Sequence, residues 1–196
     1  VIAAAAAAVV VGCSSPPPPP PATAPTPAAP VVSQSSSGAA PTAPAVDSVR
    51  PAPARVSAED IDLDEPLIGL GLTESGEMQV PTDYDDVGWF TGGGRPGAIG
   101  SPTVIAGHVD STTGPAVFDR LSELGAGDVV AVEDEAGGRA EYRIDEIGDY
   151  GKAEFPTALV FGAVPADEIR LITCSGDFDA AVGSYERNLV LYGVRI

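Results

Sequence analysis

Two residues in the C-terminal part of the chain carry the types needed for acyl transfer. His108 ends the apolar run Val104-Ile105-Ala106-Gly107-His108. Cys174 ends a second run, Ile169-Arg170-Leu171-Ile172-Thr173-Cys174. Each is followed by small polar residues, Val109-Asp110-Ser111 and Ser175-Gly176-Asp177. A thiol attacks a carbonyl as the thiolate, or when a base takes its proton on demand. Imidazole is the side chain suited to trade that proton near neutral pH. A strand end is a rigid platform for such groups. One Cys and one His in these positions suggest a thiol acyl-transfer site. The bland alternative is a small core Cys and a structural His.

Acyl transfer passes through an oxyanion, which needs donors aimed at it. Arg187 opens the last apolar run, Arg187-Asn188-Leu189-Val190-Leu191. Its guanidinium is permanently charged and forked, which suits an oxyanion or a substrate carboxylate. The stretch Ser175–Glu186 has two Gly and no long apolar run, so it reads as a loop. If the runs at 168–174 and 188–195 are neighbouring strands, Arg187 and Cys174 meet at one end of a sheet. A surface Arg on an edge strand is the competing reading.

The elements that must position these groups are short β-type runs separated by Gly, Pro and Asp. They are Val56–Leu63, Leu67–Leu72, Met78–Val80, Thr103–Ala106, Asp128–Glu133, Arg139–Ile147, Glu168–Cys174 and Leu189–Ile196. Asp134–Gly138 links two of them as a hairpin signal. Only Gly114–Leu124 has a helical face, with Val117, Leu121 and Leu124 in phase. About eight short strands indicate an all-β sandwich or barrel. Thr91–Gly100 is Gly-rich but lacks the Gly-Lys-Ser/Thr of a phosphate loop. It reads as a connection whose backbone passes close to its neighbours.

Composition divides the chain. Of 20 Pro, 13 fall in residues 1–54, and no charged residue precedes Asp47. Residues 56–196 hold eight Lys+Arg against 27 Asp+Glu, a net of −19. That charge argues against nucleic-acid binding and against electrostatic docking on an anionic membrane. One His and two Cys in the whole chain exclude a Cys/His zinc cluster. The reading is therefore three segments: an export signal at 1–13, a disordered Pro/Ala/Ser/Thr-rich linker at 14–54, and one domain at 55–196.

Val1–Gly12 is an uncharged apolar run of signal-core length, too short to span a bilayer. Val10-Val11-Gly12-Cys13 resembles the lipobox of bacterial lipoproteins, which implies a diacylated Cys13 at the mature N-terminus. The Pro16–Pro21 run favours polyproline II. Some 40 residues at ~3.1 Å each reach on the order of 100 Å when extended. Such a linker spaces the domain away from a membrane.

The ordered motifs of the domain resemble the sortases, closest to the class F group. They are Val104-Ile105-Ala106-Gly107-His108-Val109-Asp110-Ser111, Gly114-Pro115-Ala116-Val117-Phe118 and Leu124-Gly125-Ala126-Gly127-Asp128. Lys152 with Phe155-Pro156-Thr157, then Leu171-Ile172-Thr173-Cys174 and Gly183-Ser184-Tyr185, complete the set. Val87-Gly88-Trp89-Phe90 and Arg95-Pro96-Gly97 resemble the family's upstream loop. The resemblance implies an eight-stranded β-barrel with one or two short helices. It implies a cysteine transpeptidase that cleaves an LPXTG-like sorting signal through a thioacyl-enzyme. The acyl group would pass to an amine such as a peptidoglycan precursor.

By motif, Cys174, His108 and Arg187 match the family's catalytic trio, and Thr173 would help line the substrate site. Many class F relatives have Arg directly after the Tyr of that loop, whereas Glu186 intervenes here. No cofactor is expected. The class A group binds calcium through carboxylates, but Glu133-Asp134-Glu135 reads as a solvated acidic hairpin, so no metal is expected. The implied setting is the outer face of the plasma membrane or the cell wall, as a monomer held by a lipid anchor. A sortase-like lipoprotein that binds sorting-type peptides without turnover is the alternative. An L,D-transpeptidase is disfavoured, because Leu171-Ile172-Thr173 stands where that family has Ser-His-Gly before its Cys.

Overall fold

The computed structural model describes residues 50–196. Cys13, the segment 1–13 and most of the linker at 14–54 lie outside the described residues. Eight strands close a barrel: β1 (Pro53–Ala58), β2 (Leu63–Leu70), β3 (Val87–Phe90), β4 (Thr103–Gly107), β7 (Val129–Asp134), β8 (Arg139–Gly151), β9 (Glu168–Asp179) and β10 (Ser184–Arg195). Their order around the barrel is β1-β2-β3-β4-β9-β10-β8-β7. The pairs β2–β3 and β4–β9 are parallel, and the other barrel pairs are antiparallel. A two-stranded hairpin, β5 (Asp110–Ser111) with β6 (Gly114–Pro115), follows β4. The all-β barrel expected from the sequence is the fold observed.

Alternation along each strand sorts side chains to two faces. Val56, Trp89, Ile105, Tyr142, Leu171 and Leu191 fill the barrel interior with Phe118. A second apolar cluster lies on the other face of the same strands: Val104, Ala106, Ile172, Val190 and Tyr192. The helix α1 (Thr157–Phe161) adds Val160 to it, and Met78, Phe90, Tyr150, Phe155 and Phe161 pack against it. Both faces of β4 and of the stretches 169–173 and 189–192 are therefore buried, which explains their mostly apolar sequences. No helix among the described residues is long and apolar enough to cross a membrane.

Four local readings change. Val56–Leu63 is not one strand: a 3-10 turn at Glu59–Ile61 breaks it, with Asp62 left-handed at φ 56°. The turn keeps Glu59 and Asp60 in solvent and tucks Ile61 into the core. Met78–Val80 is loop, joined only by an isolated bridge from Met78 to Leu72. Gly114–Leu124 is not a helix: it starts as β6 and ends in a 3-10 turn, Leu121–Glu123. Its large buried side chains are Phe118, Leu121 and Leu124, and a spacing of three fits 3-10 geometry. Finally, Ser175–Glu186 is mostly strand. β9 continues to Asp179 and β10 begins at Ser184, so only a short turn remains. These extensions carry little apolar sequence because they rise beyond the core.

The Gly-rich connection does run close to its neighbours. A Cβ on Gly94 would stand 2.0 Å from the Ser101 carbonyl oxygen. The Gly94 carbonyl accepts a hydrogen bond from the buried Trp89 indole at 3.0 Å. In the β7–β8 hairpin, Asp134 Oδ1 accepts from the backbone N–H of Ala136 and Gly138, and Glu133 pairs with Arg139 at 3.4 Å. No group of three His, Cys, Asp or Glu among the described residues is arranged to hold a metal ion.

Candidate functional site

Register builds the site. In the parallel pair β4–β9, Ile105 lies beside Leu171 and Ala106 beside Ile172. One step on, Thr173 Oγ1 donates to the Gly107 carbonyl at 2.9 Å, so the strands stay together past the last ladder pair. The next step sets His108 beside Cys174. Both follow the alternation of Ala106 and Ile172, so both leave the sheet on the face of the outer cluster. On the other side of β9, Cys174 pairs with Asn188 of β10, and Asn188 pairs with Tyr150 of β8. A row of polar side chains thus crosses four strands at one end of the barrel.

A cavity of about 190 Å³ opens beside this row. His108, Thr173, Cys174 and Asn188 line it with Met78, Val80, Phe155 and Phe161. It adjoins a larger groove of about 560 Å³ that shares Met78, Phe155, Phe161 and Asn188 and adds Lys152 and Phe90. A third cavity, about 310 Å³, reaches Cys174 from another side, between Phe118, Asp119, Gly176 and Tyr185. Cys174 is half-buried and carries a free thiol.

His108 is also half-buried. Its Nε2–H donates to the Pro81 carbonyl at 2.8 Å. A carbonyl only accepts, so this bond places a proton on Nε2 and leaves Nδ1 as the acceptor of the neutral ring. Tyr84 covers the imidazole, with ring centroids 4.9 Å apart. Both partners come from the loop between β2 and β3, which sequence reading had not connected with the site.

Thr173 is buried, and its hydroxyl is committed to Gly107. It lines the cavity through the rest of its side chain and ties the end of β4 to β9.

Arg187 is at the same end of the sheet. It pairs with Ser175, one step beyond the Asn188–Cys174 pair. Alternation therefore sends its side chain to the opposite face from Cys174. Its Nε donates to Asp149 Oδ2 at 3.0 Å and its Nη2 to the Asp149 carbonyl at 2.6 Å. The Ser175 hydroxyl donates to Asp149 Oδ1 at 2.7 Å. The Ser175 hydrogen bond, then the Arg187 guanidinium, hold the Asp149 carboxyl below the usual carboxylate range. Gly176 makes room for this arm: φ is +77°, and a Cβ there would stand 2.8 Å from Arg187 Cδ.

The cation beside the sulfur is Lys152. It follows β8, in the 3-10 turn Lys152–Glu154. Its ammonium donates to Ser184 Oγ at 2.6 Å and lies 3.7 Å from Cys174 Sγ. Tyr185 completes the surroundings: its hydroxyl donates to Asp110 Oδ2, and its ring meets Phe178 edge-on. The bond to Asp110, then burial, push the Tyr185 phenol up. Lys152, Asn188 and Ser184 were not singled out for chemistry by the sequence. The available signal for Asn188 was alternation, since it sits one residue from Leu189 on the face opposite the barrel interior. The available signal for Lys152 was composition: it is the only Lys in the chain.

The geometry is matched by comparison with known proteins. A sortase domain family model matches residues 56–196. The structure is similar to sortase A from Corynebacterium diphtheriae (lid mutant), at 25% identity, a TM-score of 0.58, and coverage of 75% of this chain and 71% of that one. It is similar in fold to sortase C-1 from Actinomyces oris, at 24% identity, a TM-score of 0.58, and coverage of 73% and 71%. It is also similar in fold to sortase C1 from Streptococcus agalactiae, at 20% identity, a TM-score of 0.57, and coverage of 73% and 66%. No curated protein sequence matches the chain. The family model covers nearly the whole barrel, with Cys174 on β9 and His108 just past the end of β4 inside it, and the chain therefore belongs to the sortase family of cysteine transpeptidases.

Proposed function

We propose that this sortase is of the class F-like group and cleaves an LPXTG-like sorting signal at the C-terminus of exported proteins. The observation that carries the reading is the row that sets Cys174 beside His108 at the head of an apolar groove. An extended peptide fits a groove walled by Met78, Phe155 and Phe161. The Cys174 sulfur attacks the scissile carbonyl, the C–N bond breaks and a thioester remains. His108 takes the thiol proton and returns it to the leaving amine. An incoming amine, such as that of a peptidoglycan precursor, loses its proton to His108 and displaces the sulfur. Arg187 holds the substrate backbone or the oxyanion, swinging from its anchor on Asp149, where it is half-exposed. Thr173 supports substrate contact by fixing the end of β4 against β9.

Residues 1–13 act as an export signal, with Cys13 lipidated, and residues 14–54 space the catalytic domain from the membrane. The enzyme works as a monomer on the outer face of the plasma membrane or in the cell wall.

The test is turnover of a labelled LPXTG-type peptide with candidate amines added. Wild type forms an acyl adduct on Cys174 and a transpeptidation product. Cys174→Ala loses both, by at least about 10³-fold in rate, with its melting temperature unchanged. Peptide binding by wild type with no adduct would overturn transpeptidation in favour of a binding lipoprotein.

A further inference from the structure

The chain holds nine Arg and one Lys, and that Lys stands at the thiol. Its place is built from three directions. β8 ends at Gly151, and the 3-10 turn that follows directs Lys152 back over β10. Ser184, at the start of β10, accepts one ammonium hydrogen at 2.6 Å. Cys174, on β9, lies 3.7 Å from the same nitrogen. No carboxylate pairs with Lys152 among the described ion pairs. In residues 56–196 acidic residues outnumber basic ones 27 to eight, and only Arg95 and Arg195 share this lack of a carboxylate partner among those ion pairs. Arg55, Arg120, Arg139, Arg143, Arg170 and Arg187 each take a carboxylate partner.

We infer that Lys152 is a catalytic residue of this site, the cation that faces the Cys174 sulfur when it carries charge. When the thiol proton passes to His108, a negative sulfur is left beside a positive ammonium already oriented by Ser184. A charge-assisted hydrogen bond to the thiolate stabilises it and costs no reorganisation at that moment. The same contact meets the sulfur again when the thioester is broken and the thiolate leaves. Lys suits this place because it is a compact charge with three rotatable donors, enough to serve Ser184 and the sulfur together. Arg187 does not duplicate the role, because its guanidinium is engaged with Asp149 on the other face of the sheet.

Other charged or titratable groups surround the sulfur, and Asp119 faces it across the third cavity. His108 comes from the end of β4, and its Nε2 is held by Pro81. Tyr185 comes from β10, and its phenol is held by Asp110 of the β5–β6 hairpin. Asp149, from β8, is occupied by Ser175 and Arg187. Lys152 is the one cation with a direct contact to the sulfur among the described hydrogen bonds.

This assignment rests on Cys174 being the nucleophile, and its test needs no sorting peptide. The full chain is alkylated with iodoacetamide between pH 5 and pH 9. The Cys174-containing peptide is quantified by mass spectrometry, so that Cys13 does not interfere. Lys152→Met keeps the aliphatic stem and removes the charge. Its alkylation rate at pH 7 is expected to fall at least about fivefold, with the whole pH profile displaced upward. Lys152→Arg restores most of the rate, and Ser184→Ala loses about twofold because the ammonium is less well held. Lys152 is exposed, so the variants fold, and thermal melts check this. A Lys152→Met profile that superimposes on wild type overturns the assignment. A displaced profile in a protein that turns over no sorting peptide would keep Lys152 beside the thiol and sink the transpeptidase reading instead.

Discussion

Two positions on one face of β9 carry polar groups, and they are treated in opposite ways. At the start of the strand, Arg170 is buried, with its side chain only 4% exposed. It pairs with Glu168 at 2.6 Å, donates to the Ile169 carbonyl at 2.9 Å and lies over the Tyr192 ring at 4.6 Å. Four residues later, Cys174 is half-open, with cavities on more than one side and a solvent-exposed Lys152 beside it. The difference is in the cover. Tyr192, opposite Arg170 on β10, closes that end. Asn188, opposite Cys174, is too small to do so, and the outer apolar cluster stops short of it. A buried charge must be paired to be tolerated. A nucleophile must be left reachable.

That comparison can be broken at either end. The largest effect on stability belongs to Arg170→Met. It strands the half-closed Glu168 carboxylate and should cost about 3 kcal/mol in urea denaturation. Alkylation of Cys174 in the folded protein should not change. Adding Glu168→Leu should return much of the loss, and a single-variant cost below about 1 kcal/mol would mean that this end is not held by its ion pair.

A smaller effect is expected at Gly176→Ala. A side chain at φ +77° is strained, and the new Cβ meets Arg187 Cδ at 2.8 Å. The expected cost is about 1–2 kcal/mol. Arg187 is pushed off Asp149, so Gly176→Ala and Asp149→Asn should be non-additive in a double-mutant cycle. Strict additivity would disprove the shared arm.

The smallest effect is the pH dependence of Asp149. Its folded value is depressed by Ser175 and Arg187. The stabilisation is therefore complete above the ordinary carboxylate range and is lost as pH falls through the lower folded value. Wild type should exceed Asp149→Asn by roughly half a kcal/mol or less at neutral pH, because the ion pair is solvent-screened. The gap should close in acid. Asp167, near the other end of β9, has the opposite sign. Burial raises it, although Tyr142 and Gly97 donate to its carboxylate. Its ionisation costs stability as pH rises. A gap at Asp149 that widens on acidification would reverse the assignment.

Much of the barrel was legible because strand alternation and turn residues are local signals. Thr103–Ala106, Glu168–Cys174 and Leu189–Ile196 all fall within observed strands or overlap them by nearly their full length. The misreadings came where exposure, not sequence period, decided the outcome. Phe118, Leu121 and Leu124 bury a face from 3-10 and turn geometry, and their spacing also approximates an α-helix. The outer extensions of β9 and β10 carry little apolar sequence, so they resembled a loop. Met78 and Val80 looked like strand residues and instead wall a groove.

The sequence alone was enough to single out Cys174 and His108 as a candidate pair, to show how acidic residues 56–196 are, and to suggest the family. Each of these depends on neighbours within a few residues. Which cation meets the sulfur was decided only by the tertiary structure. Arg187 is 13 positions from Cys174 in sequence, and alternation turns it to the other face. Lys152 is 22 positions away, and the turn after β8 carries it across β10 to the thiol. A strand's faces are set residue by residue, but the partner that arrives from the next strand is set by register, and register is a property of the closed barrel.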